Sequence, residues 1–302
     1  MPFIVMRLKP RCFTIALAIL CLGALATRSQ ASGPARGMTG DVTVYTTTAG
    51  DTLGSIGARM GVDVATLAAE NGLKPTAKLP VGLTLRVDNR HLIPAAAEPG
   101  VIVLNLPQRM LFYGDETVVR GIPVAVGQPG WQTPARAFTV LTKETDPTWE
   151  VPVSIQEEAR RASRVLPAVV PPGPNNPLGK FWLGLSIPSV GIHGTNAPSS
   201  IYRAATHGCI RVGAEDIAWL FSRVSVGTRG QIVYEPILLA VIGDEIFLEV
   251  HRDVYRRLEG GSELHVRALA DAAGVAGEVD WVLAARVLSA RDGIARRVGA
   301  AK

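Results

Sequence analysis

The chain has 302 residues, 47% hydrophobic and 19% charged, with a formal net charge of +5; this length suits one medium domain and a small one. Four basic residues, Arg7, Lys9, Arg11 and Arg28, fall in the first 31 positions with no acidic residue among them, so the remainder is near neutral, at about +1. That remainder has no Lys/Arg run interleaved with aromatics, and nucleic acid is not an expected partner.

Residues 1–31 read as an export signal. Arg7, Lys9 and Arg11 precede an apolar run from Phe13 to Ala26, and Ser29 and Ala31 suit cleavage after Ala31. An N-terminal membrane anchor is the alternative, although the run is short for a full span. Leu20 is too bulky to precede a lipidated cysteine at Cys21, so no membrane association is expected after signal removal. Cys12 and Cys21 leave with the signal, which makes Cys209 the remaining thiol and rules out an intramolecular disulfide. A lone cysteine is either a small buried hydrophobe or a nucleophile.

Residues 42–88 have β-α-α-β order. Thr43-Val44-Tyr45 is a short strand, Asp51 can cap a helix carrying Leu53, Ile56 and Met60, and Asp63 can cap a second carrying Val64, Leu67 and Ala68. Asn71-Gly72 ends that helix and Leu83–Val87 closes as a strand. Residues 89–100 form a linker with Pro94 and Pro99 near its ends.

Residues 101–236 carry strand-like runs at Val101–Leu106, Met110–Tyr113, Thr117–Val126, Phe138–Thr142, Phe181–Leu185 and Gly230–Tyr234. Short strands separated by Gly and Pro predict a mainly β domain, an antiparallel sandwich or barrel. Two helices interrupt it: 155–164, opened by a Ser154/Glu157 capping box, and about Ala214 to Val224. Proline-rich 167–177 reads as a stiff loop beside the site. Residues 237–302 are a C-terminal extension with a strand at Ile246–Val250 and a helical tail, Leu264–Ala273 and Val279–Val298, of obscure role.

The chemistry concentrates in Ile192-His193-Gly194-Thr195-Asn196 and Thr206-His207-Gly208-Cys209-Ile210-Arg211. A thiol needs a base to act as a nucleophile at neutral pH, and an adjacent glycine lets backbone amides meet an oxyanion. The helix following Cys209 is expected to favour a thiolate through its N-terminus. His91, His251 and His265 lack companions at ligand-like spacing and read as surface or packing residues. No metal cluster and no phosphate-cradling loop is seen, so no cofactor is expected.

Thr206-His207-Gly208-Cys209 resembles the signature of the L,D-transpeptidases, the YkuD-type catalytic domain, and Ile192–Asn196 resembles that family's upstream histidine motif. Gly127–Pro134, Asp146–Trp149 and Leu166–Gly179 resemble the Gram-negative periplasmic subgroup. Ala49-Gly50-Asp51-Thr52-Leu53, Asn71-Gly72-Leu73 and Leu79–Leu83 resemble the LysM domain. The resemblance implies a periplasmic enzyme whose LysM domain binds peptidoglycan glycan. Cys209 would attack the L-centre carbonyl of meso-diaminopimelate in a tetrapeptide stem, release D-alanine, and hand the acyl group to an amine. A second stem gives a 3-3 cross-link; an outer-membrane protein or lipoprotein gives anchoring.

By the same resemblance His193 is the base, the Gly194 carbonyl holds its other nitrogen, and amides around Gly208 and Cys209 stabilise the oxyanion. Arg211 partners a stem carboxylate or a loop acid, and Trp131 and Tyr202 border the substrate groove or pack in the core. His207 serves the loop, the substrate or structure alone. Departures are Pro134-Ala135-Arg136-Ala137 in place of a Pro-Thr-Gly turn, and Tyr202 where the subgroup often has glycine. Water as acceptor would make the protein a carboxypeptidase, and a buried, inert Cys209 would leave a non-catalytic wall-binding protein.

Overall fold

The structure is a computed structural model that describes residues 33–301; the expected export signal lies outside the described residues. No described helix is long and apolar enough to cross a membrane.

In the N-terminal module, β2 (Val42–Thr46) pairs antiparallel with β3 (Thr84–Asp88), and α1 (Leu53–Met60) and α2 (Val64–Glu70) pack on them; β1 (Gly37–Thr39) pairs separately with β4 (His91–Ile93). The cap of α1 is Thr52, one residue later than expected. Its hydroxyl accepts from the Ser55 amide while the Ser55 hydroxyl accepts from the Thr52 amide. Asp51 instead accepts from the Tyr45 hydroxyl at 2.6 Å and the Thr48 amide at 2.8 Å. Asp63 does precede α2, but its carboxylate leaves the helix for Arg109, meeting it at 2.9 and 3.1 Å. Leu53, Ile56, Leu67, Leu85 and Val87 form the module's core, and Ile294, only 1% exposed, enters it from the far end of the chain.

The next strands are β5 (Ile102–Asn105), β6 (Met110–Gly114), β7 (Val119–Gly127), β8 (Ala137–Thr145) and the short β9 (Trp149–Glu150). Helix α3 (Val153–Arg161) follows, then β10 (Val169–Val170), β11 (Phe181–Leu185), β12 (Gly191–His193), β13 (Ala204–Thr206), β14 (Ile210–Val212), α4 (Ala214–Arg223) and β15 (Arg229–Val233). Strands β7, β14, β12, β11, β8, β15, β5 and β6 close a ring of eight, with β13 added beside β7. The barrel expectation therefore holds, but the sheet is mixed: β12/β14 and β15/β5 run parallel. A parallel pair needs a crossover connection. Between β12 and β14 it is residues 194–209, with a 3-10 turn at Pro198–Ser200 and β13 in place of a helix. Helix α3 starts after Pro152 without a side-chain cap, so the Ser154/Glu157 capping box does not form.

Beyond the barrel, β16 (Ile237–Ile242) and β17 (Glu245–Val250) form a hairpin, α5 (Ser262–Ala272) and α6 (Trp281–Ala290) cover it, and β18 (Arg296–Ala300) pairs antiparallel with β17. The tail is thus not wholly helical. Arg291 and Gly293 take φ of 48° and 73°, which breaks the expected helix after Ala290 and turns the chain into a strand.

Candidate active site

The parallel register Ile192↔Ile210 and His193↔Arg211 brings the two motifs together. Residues paired directly across a seam share a face, so Arg211 lies beside His193, and Cys209 stands in the bend just before β14. His193 is 4% exposed, and its Nδ1 lies 2.7 Å from the Gly194 carbonyl. A carbonyl only accepts, so Nδ1 carries the hydrogen and Nε2 keeps its lone pair. Burial and the Arg211 charge hold the imidazole down at about 4, against the pull of the Gly194 and Leu178 carbonyls.

Cys209 is partly exposed, and its thiol donates to the Ser189 carbonyl at 3.6 Å. Burial pushes the thiol pKa up, while the Gly191 amide and Arg211 pull it down less strongly. The imidazole is therefore neutral and the thiol protonated at rest. Helix α4 begins after β14, with Gly213 as its cap, so Cys209 stands in the bend before a short strand that feeds the helix N-terminus, as expected.

Gly208 has φ +111°, a backbone that L side chains rarely adopt. Its N–H meets the Thr206 hydroxyl at 3.2 Å, and that hydroxyl donates to the Cys209 carbonyl at 2.6 Å. Arg211 Nη1 donates to the Ser200 hydroxyl at 2.8 Å while its buried Nε has no partner. His207 lies at the surface, 3.0 Å from Glu158 on α3 and edge-on to the Trp131 ring at 5.2 Å.

Tyr202 does not stand free at a groove edge. It is 4% exposed, packs with Ala58 of α1, and lies under the Arg109 guanidinium at 4.1 Å. Its φ of +60° is the left-handed region that favours glycine, which gives a backbone reason for the glycine common at that position.

Four supporting residues escaped the sequence reading. Thr133 is buried and joins the Gly127 amide to the Gly208 carbonyl, at 2.9 Å each. Trp182 stacks on His193 at 5.9 Å, and a Cβ on Gly191 would strike its ring at 2.3 Å. Asn176 ties the proline-rich loop down, donating to the Pro147 carbonyl at 2.8 Å and accepting from the Leu178 amide at 2.9 Å. Ser189, with φ +61°, presents the carbonyl that the thiol meets. Asn176 alone had a signal, an amide residue within a proline-rich run.

His91 and His251 depart from the sequence expectation, because both are buried and share Glu249. Glu249 Oε1 lies 2.8 Å from His91 Nδ1, 2.6 Å from His251 Nε2 and 3.0 Å from Gln108 Nε2, and Oε2 lies 2.5 Å from the Leu92 amide. His91 Nε2 faces the Gly61 carbonyl at 2.8 Å, so both its nitrogens donate and the ring is an imidazolium. Burial alone would lower the His91 pKa, but Glu249 raises it overall. Three potential metal ligands meet here, yet these are proton-bridged distances, and hydrogen bonds complete the carboxylate.

Residues 99–234 match the L,D-transpeptidase catalytic domain, YkuD, and residues 45–88 match the LysM domain. Among curated proteins, the "Probable L,D-transpeptidase YbiS" of Escherichia coli (strain K12) is 37% identical over 174 residues, 56% of each chain. The "Probable L,D-transpeptidase ErfK/SrfK" of Salmonella typhimurium is 35% identical over 178 residues, 58% of this chain and 57% of that one. The match thus spans little more than half the length of these two relatives. Bacillus subtilis (strain 168) YkuD is 30% identical over 190 residues, 61% of this chain and 95% of its own. With a YkuD barrel carrying the two motifs and a LysM domain ahead of it, the chain belongs to the L,D-transpeptidase family.

Proposed function

We propose that this chain is a periplasmic peptidoglycan L,D-transpeptidase in which Cys209 is the nucleophile and His193 the base. The observation that carries the reading is the β12/β14 seam, which brings the thiol and the imidazole within reach of the one Arg211 charge, while the Gly194 carbonyl sets the imidazole tautomer. The thiol turns from the Ser189 carbonyl towards Nε2 and gives up its proton. The sulfur then adds to the L-centre carbonyl of meso-diaminopimelate in a tetrapeptide stem. Collapse expels D-alanine, which takes the proton from His193, and leaves a thioester. An acceptor amine, deprotonated by the same imidazole, attacks the thioester and frees the sulfur.

Because the Gly208 amide is turned to Thr206, the Cys209 amide is the first donor to an oxyanion. Arg211, with a free Nε beside both catalytic groups, pairs a stem carboxylate. Residues 42–88 hold the glycan, and the basic and apolar start of the chain directs export. The acceptor is a second stem or an outer-membrane protein.

Intact-mass measurement after incubation with a tetrapeptide stem tests the chemistry. The wild-type chain is expected to gain the tripeptidyl mass through a thioester, and Cys209→Ala to gain nothing. Absence of a thioester in the wild type sinks the reading. Digestion of tetrapeptide-rich sacculi followed by mass spectrometry identifies the acceptor.

A further inference from the structure

Between the LysM module, the barrel and the C-terminal extension lies a cleft of about 670 Å³. Small residues of α1 and α2, Gly54, Ala65 and Ala69, leave its floor open. One wall is Ile201 to Arg203, part of the crossover that joins His193 to Cys209; the opposite wall includes Arg252 and Arg291.

Five arginines and three carboxylates line this space. The carboxylates are already neutralised: Asp63 by Arg109 at 2.9 Å, and Glu70 and Asp292 by Arg296 at 2.7 and 2.6 Å. Arg109 and Arg296 are spent on those pairs. Arg203 and Arg252 make no ion pair and no side-chain hydrogen bond among the described residues. Arg291 only donates Nε to the Leu288 carbonyl at 3.3 Å. Three guanidinium forks outside any salt bridge among the described residues therefore border a concave, small-residue floor, the Arg252 charge also reaching Asp63, and a guanidinium fork matches a carboxylate two bonds at a time.

We propose that this cleft binds a short peptide carrying two or more carboxylates, a peptidoglycan stem, at a place apart from the thiol. Its identity as a wall stem rests on the function proposed above; the carboxylate chemistry rests on the arginines. A peptide seated there touches Ile201 and Arg203 on the crossover. The protein would then hold one stem in the cleft while another reaches Cys209.

The test is isothermal titration of the full chain carrying Cys209→Ala with the tetrapeptide L-Ala-γ-D-Glu-meso-diaminopimelyl-D-Ala. Two binding events are expected. In a further variant with Arg203→Ala, Arg252→Ala and Arg291→Ala, one event should weaken at least about tenfold while the other persists. Should that variant melt early, Arg203→Ala and Arg252→Ala alone are each expected to weaken the same event about threefold or more. A tetrapeptide amidated at its carboxylates should lose the arginine-dependent event. A single event, an event indifferent to the arginines, or equal binding of the amidated peptide overturns the proposal. So does inorganic phosphate that displaces the peptide at or below the peptide's own Kd.

Thioester formation by the wild type is read separately. A thioester without an arginine-dependent event overturns the cleft and spares the activity; the converse overturns the activity and spares the cleft.

Discussion

Two histidine sites sit in this molecule, and they differ in access: Cys209 beside the first is partly exposed, whereas His91, Glu249 and His251 of the second are all buried. At β12/β14, His193 has a carbonyl behind it and Arg211, with an unpartnered Nε, directly across the seam, and Cys209 stands in the bend before β14. Around Glu249, two imidazoles, an amide side chain and a backbone amide saturate one carboxylate. Each site keeps one buried nitrogen without a partner, Arg211 Nε at the first and His251 Nδ1 at the second, so neither residue types nor unpaired atoms separate them; access to the reactive group does. The Glu249 site joins the Gly61 end of α1, β4, the turn before β6 and β17, and so ties the LysM module, barrel and extension together.

The sharpest way to break that comparison is at the thiol site. Cys209→Ala should abolish thioester formation while leaving the urea unfolding midpoint nearly unchanged. His193→Gln should slow acylation by about 10²–10⁴-fold in stopped-flow or mass-resolved kinetics, the range of a lost general base. Because His193 is held at about 4, the wild-type acylation rate should have an acid limb near that pH and stay level through neutrality. A limb near 6.5 would mean that Arg211 and burial do not act on the ring as described.

At the buried Glu249 site the effect should be on stability. Glu249→Ala leaves a buried imidazolium unpaired, at a cost of about 3–5 kcal/mol in denaturant unfolding. The pH profile gives the sign. Burial would raise the Glu249 pKa, but His91 and His251 lower it overall. Its stabilisation is therefore present above its ordinary 4.5 and lost as pH falls below that. His91, raised by Glu249 against burial, contributes fully below 6.5 and loses that contribution as pH rises through its folded value. His251, lowered by burial, works the other way, favouring the folded chain above 6.5 and opposing it on acidification. Melting temperatures of Glu249→Gln across pH should therefore lose both the acid dependence below 4.5 and the alkaline dependence of His91. An unchanged profile would place the titration elsewhere.

Smaller effects sharpen the contrast. Ile294→Ala should cost about 2–4 kcal/mol by opening the LysM core, seen as early hydrogen exchange in α1 and α2. His207→Ala removes a partly exposed pair with Glu158 and should change stability by less than about 1 kcal/mol. A large loss of acylation in that variant would move His207 from the rim into the chemistry.

The thiol site was legible because its parts lie close along the chain and one crossover joins them. Cys209, His193, Gly194 and Gly208 fall in two short motifs whose β12/β14 register needs no distant information. Of the two readings of Tyr202, groove edge or core, the core one holds, and position in a motif could not choose between them because it says nothing of whether a side chain turns outward. Its φ, Arg109 and Ala58 decide that, and Arg109 is nearly a hundred positions away in sequence. Thr133 and Trp182 were missed for the same reason, since each acts across a barrel seam. The tail was read as helical from its apolar spacing, although Asp292-Gly293 carries a turn signal within that run.

By itself the sequence determined the family, the two-domain order, most barrel strands and the residues of the thiol site, because local periodicity and short motifs carry that information. Only the tertiary structure decided that the sheet closes as a mixed barrel, that Ile294 enters the LysM core, and that His91, His251 and Glu249 meet. Those outcomes depend on contacts between residues up to 226 positions apart, as in the Arg296–Glu70 pair, where no local pattern constrains the partner.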